Sequence, residues 1–111
     1  MYKNSITQIR NILLERMPHC VAKETDVSRN GIPIHNILVG DIHWGARTLS
    51  EHILWMCDKI ETMPGGSAEN EGKAGRWIGW VYACLEVMGF TTNTDSRRMA
   101  RSDSTTNNAS S

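Results

Sequence analysis

Lys73 to Phe90, KAGRWIGWVYACLEVMGF, is the stretch on which the fold turns. It contains no proline, and Trp77, Trp80, Val81, Cys84 and Met88 recur at three-four spacing as one apolar face that Ile78 and Leu85 widen. This pattern predicts a helix over about Glu71 to Met88. Gly89-Phe90 predicts its end: glycine takes the left-handed position, and the phenylalanine folds back over the last turn. Gly75, Gly79 and Ala83 stand four apart on the other side. A glycine inside a helix costs about 1 kcal/mol relative to alanine, so a close packing partner is expected there. Either a second copy of the chain or helix 1 and the segment after it would supply one, and the first option predicts a homodimer.

Working upstream, Gly65 to Asn70 reads as a polar linker, and Pro64-Gly65-Gly66 closes a second helix at Met63. That helix starts at Asp41 as its N-cap, or at the capping box Thr48-Leu-Ser-Glu51. Leu49, Ile53, Met56, Ile60 and Met63 form its buried stripe. Trp55 projects away from this stripe, on the side of Thr48, Glu51, His52 and Lys59. It is therefore either a surface anchor for a partner or a member of a second core layer. Helix 1 is expected to start at the capping box Ser5-Ile-Thr-Gln8, to bury Ile6, Ile9, Leu13 and Met17, and to stop before Pro18. Between these helices, Asn30-Gly31 is a hairpin-type turn signal among β-branched residues, while Pro33 opposes a central strand. An extended or short β-hairpin segment is expected after helix 1.

Downstream, Thr94-Asp-Ser-Arg97 predicts a short basic helix carrying Arg97, Arg98 and Arg101. Residues 102–111 are rich in Ser, Thr and Asn and read as a disordered tail behind a single domain over 1–101. The expected fold is therefore mainly α, a small helical domain built on a helix–helix hairpin.

Composition narrows the function classes. The chain has 111 residues, and its 12 Lys plus Arg balance 12 Asp plus Glu. No global charge draws it to nucleic acid or to an anionic membrane. Its apolar runs are too short to span a bilayer. Cys20, Cys57 and Cys84 are widely spaced with no C-x-x-C, and the first residues lead into no secretory apolar region, which predicts buried thiols in a reducing cytoplasm.

One motif suggests chemistry. In NILVGDIHWG, residues 36–45, an Asp-x-His pair resembles the opening ligands of binuclear metallophosphatases. Such a centre needs further carboxylate and imidazole ligands, and this chain has no second Gly-Asp, no Asn-His pair and no Gly-His-x-His. Asp41 is read instead as a helix cap, with His43 and Trp44 in the first turn and Arg47 on the next. Those last three are retained as candidate ligand-binding residues. Cys57 and Cys84 lie on or beside apolar stripes, where a thiol is inert. No metal, no cofactor and no catalytic residue is expected.

The same helix, with HNILVGDIHWGARTLSEHILWM before it and TTNTDSRRMAR after it, resembles small accessory proteins of tailed bacteriophages and prophages of enteric bacteria. The shared pattern is a Lys-Ala-x-Arg-Trp-Ile-Gly-Trp helix, a glycine turn, then Thr-Asn and Ser-Arg, covering about residues 36 to 101. The resemblance implies a phage product acting in the host cytoplasm, where such proteins bind and block a host factor. Trp55, Arg76, Arg97, Arg98 and Arg101 are the candidate contacts with that partner, through indole burial and bidentate arginine pairing. The alternative role is a sponge for a nucleotide signal, built on tryptophan stacking and arginine–phosphate pairing.

Overall fold

The computed structural model describes residues 2–24 and 42–110, with side chains for 2–24 and 45–103. Four helices account for most of them: α1 Lys3–Arg16, α2 Ile42–Thr62, α3 Ala68–Val87 and α4 Asn93–Ser110. Each packs on its neighbour in the chain, and α4 closes the ring against α1, giving a four-helix bundle. The described residues include no strand, so the chain there is helical without the β-hairpin component expected from sequence. The Asn30-Gly31 turn signal itself lies outside the described residues.

The core is what the stripes dictate. Ile6, Ile9 and Leu13 from α1 meet Leu49, Ile53, Met56, Cys57 and Ile60 from α2, and Ala74, Ile78, Val81, Cys84 and Leu85 from α3. On α3 the buried stripe is turned away from the tryptophans. Ile78, Val81 and Leu85 are interior, while Trp77 and Trp80 are half-buried at the margin. Large amphipathic rings tolerate such a rim, where compact aliphatic side chains fill the interior better.

Local signals explain most helix ends. Ser67 caps α3 by accepting from the Asn70 amide at 3.3 Å, and Asn70 Nδ2 donates to Pro64 O at 3.1 Å across the hairpin loop. The helix therefore begins inside the expected linker. At its other end, Phe90 N donates to Leu85 O at 2.9 Å and Gly89 N to Glu86 O at 3.0 Å, with Gly89 at φ 77. That pair of bonds is the Schellman ending. Thr92 Oγ1 accepts from the Asp95 amide at 3.1 Å and caps α4 two residues before the expected start.

The capping box expected at the start of α1 fails, and the reason lies in α4. Ser5 does not cap α1, which starts at Lys3 behind a left-handed Tyr2 that offers no side-chain cap. Ser5 is instead fully buried, and its amide donates to both oxygens of Asp103 at 3.2 Å. Its hydroxyl donates to Asp103 Oδ2 and accepts from the Tyr82 hydroxyl. Asp103 is 4 % exposed and belongs to α4, which continues well beyond Arg101 where a disordered tail was expected. The carboxylate of one helix thus caps the amide end of another, with its negative charge on the positive end of the α1 macrodipole. Asn4 Nδ2 adds a bond to Met99 O at 3.2 Å.

α1 is fixed to α2 by Arg10, which pairs with Asp58 and Glu61. Glu51 holds the segment after α1 to α2: its carboxylate accepts from the Val21 amide at 3.2 Å and its carbonyl from the Lys23 amide at 3.1 Å.

All three cysteines are buried free thiols. Burial pushes Cys57 up to about 12 and Cys84 up to about 11 from an ordinary value of 9.0. Burial also raises Tyr82 from 10.0 to about 12, against the lowering effect of its bond to Ser5. Above pH ~9 the unfolded chain releases these protons while the fold retains them, so stability falls as pH rises. Urea midpoints are expected to decline steadily between pH 9 and 11, and a flat profile there would contradict the buried placement of these groups.

Candidate interaction face

The outer side of the α2–α3 hairpin carries an aromatic strip. Spacing on α2 puts His52, Trp55 and Lys59 on one side, and on α3 Lys73, Trp77 and Trp80. Antiparallel packing brings the two sets together. Trp55 stacks on Trp77 across the hairpin with ring centroids 6.0 Å apart and planes inclined by 29°. His52 stacks on Trp55 at 5.4 Å and meets Trp80 edge-on at 6.1 Å. Two ammonium groups complete it, Lys59 at 5.6 Å from the Trp55 centroid and Lys73 at 5.1 Å from that of Trp77. Both lysines are exposed, while the four rings are half-buried. Each Lys–Trp pair is a helical i, i+4 neighbour, so one repeated local spacing builds both halves.

Trp55 therefore resolves the two options left open by sequence into something between them. It packs against the core and stays half-buried in the strip. Arg76 is exposed on the same side of α3, three residues after Lys73 and four before Trp80, and its guanidinium lies back over Gly72. Arg97, Arg98 and Arg101 are exposed on α4, and Arg98 pairs with Asp95 at 3.2 Å. Arg98 also lines a groove of about 440 Å3 between α1 and α4, beside Gln8, Ile12, Phe90 and Met99.

Arg47 has a structural task. Its Nη2 donates to His19 O at 3.2 Å, and its Nε lies 4.0 Å from Glu51, so it braces the turn after α1. His43 and Trp44 fall in the first turn of α2, and their side chains, like Asp41, lie outside the described residues. On the small-residue side of α3, Gly75 is covered within the chain: a Cβ there would sit 3.0 Å from the Tyr2 hydroxyl, whereas one at Gly79 would meet nothing within 4 Å.

Trp77 and Trp80 are the binding candidates that sequence reasoning placed in the core. Their periodicity is that of a buried stripe. The signal that distinguishes them is the Lys–Trp i, i+4 pair repeated on two adjacent helices.

Among the described residues, no group of three or more His, Cys, Asp and Glu side chains is arranged to hold a metal ion. No described helix is long and apolar enough to cross a membrane. No protein-family model, curated protein or solved structure matches the chain.

Proposed function

We propose that this chain is a non-enzymatic binding protein and that its partner docks on the α2–α3 aromatic strip. The observation that carries the reading is the cross-helix stack of Trp55 on Trp77, with a lysine over each ring. Stacked indoles are already ordered, so their burial against a partner costs little side-chain entropy, and tryptophan is among the residues that dominate binding energy. Lys59, Lys73 and Arg76 set a positive margin around the apolar centre. The complementary partner is a protein surface with an apolar knob inside an acidic rim.

Together with the resemblance to phage accessory proteins, this makes the chain a phage product in the host cytoplasm that inhibits or redirects a host protein complex, such as an antiviral nuclease or a CRISPR assembly. The second role, sequestration of a nucleotide signal, draws on the same rings and cations. It is less well supported, because the ring faces a base would need are taken up by His52, by the other indole and by the lysine ammonium groups.

The test compares the tagged wild-type chain with a Lys59→Glu, Lys73→Glu double variant in enteric bacterial lysate. Both positions are exposed, so the variant should keep its melting temperature. A host protein recovered at stoichiometric level by the wild type, and at least about tenfold less by the variant, supports the reading. Equal recovery by both would refute it, and release of a nucleotide with no protein partner would replace it with the sponge.

A further inference from the structure

The side of α3 facing away from the aromatic strip carries a separate, smaller cavity. Helical geometry places Gly75, Gly79 and Tyr82 roughly opposite Lys73, Trp77 and Trp80. With Tyr2, Ser5 and Asp103 they line a space of about 200 Å3. At ~30 Å3 per water-sized group, that admits roughly seven such groups, too few for a nucleotide and enough for a short-chain molecule.

Charge decides which molecule. Asp103 lines the cavity, and among the described residues the donors to its carboxylate come from Ser5 on one flank. A carboxylate has about four acceptor positions. No Lys, Arg or His among the described residues forms an ion pair with it. Among the described residues, compensation comes from the first turn of α1, whose dipole is equivalent to about half a unit charge. The negative charge of Asp103 therefore borders a half-open cavity, and it favours a cation there over a neutral or anionic occupant.

The remaining surface suits an alkyl chain. Tyr2 and Tyr82 contribute rings, the two glycines leave the helix wall flush, and the position of a Cβ on Gly79 is open space. The hydroxyl oxygens of Ser5 and Tyr82 lie beside Asp103 as further acceptors for N–H groups.

We propose that this cavity binds a small aliphatic ammonium or guanidinium cation, its head on Asp103 and its chain along Gly75 and Gly79. The site is independent of the aromatic strip, and its occupant would bridge α1, α3 and α4.

The experiment is a melting-temperature titration of the full chain with 1,4-diaminobutane and with butylguanidine at constant ionic strength, using 1,4-butanediol and butyrate as controls. A ligand that binds only the folded state raises the melting temperature progressively with its concentration. That rise is expected for the two cations and not for the diol or the carboxylate. Asp103→Asn should weaken it at least about tenfold. Gly79→Leu should do the same by filling the cavity. It serves if Asp103→Asn does not fold, since the position is helical, spacious and improved by a better helix former. A response equal for the diol, or preserved in both variants, overturns the proposal. Adding Nα-acetyl-lysine amide separates the sources of the cation: tighter binding than the diamine points to a protein side chain, weaker binding to a free amine.

Discussion

Asp103→Ala is expected to cost the bundle about 3 kcal/mol. The substitution leaves the buried Ser5 amide and hydroxyl without their acceptor, at about 1–3 kcal/mol for each orphaned donor, and removes the charge from the α1 terminus. At about 4–8 °C per kcal/mol for a chain of this size, the melting temperature should fall by roughly 15 °C. Asp103→Asn keeps one acceptor oxygen and should lose less. Urea denaturation measures the difference directly. A change within about 0.5 kcal/mol for the alanine variant would mean that the end of α4 does not hold α1 at all.

Leu85→Ala should have an effect of similar size by a different route. Leu85 is fully buried where α3 faces the other helices, and truncation removes apolar contacts and leaves a cavity, about 3 kcal/mol together. Its carbonyl still accepts from Phe90 N, so the glycine ending should persist. Val87→Ala, two residues away and 66 % exposed, is the matched control and should stay within about 0.5 kcal/mol. Equal losses at the two positions would place the core on the wrong side of α3.

What the sequence conveyed and what it hid divide along the range of the interactions. The Gly89-Phe90 ending and the stripe Leu49, Ile53, Met56, Ile60 follow from neighbours within a turn or two, and the structure has them where periodicity placed them. Ser5 is the opposite case. Its neighbour Gln8 makes a plausible capping box, but the actual acceptor lies 98 positions along the chain, and no local rule finds it. The same long-range bond seats Asp103, from a segment with the composition of a disordered tail, against the start of α1. At the aromatic strip, Trp55 was legible as a candidate because it broke the stripe of α2. Trp77 and Trp80 were not, because they obeyed the stripe of α3, and periodicity does not separate an interior position from a rim.

The bond between Ser5 and Asp103 also orders events during synthesis. During synthesis α1 is made well before its cap, which lies in α4, 98 positions after Ser5 and beyond both helices of the hairpin. Until residue 103 clears the exit tunnel, Tyr82 and the apolar stripe of α1 lack the helix that completes their enclosure. The bundle therefore cannot close helix by helix as it is translated. It must close in a final step, and the nascent chain has to remain soluble until then.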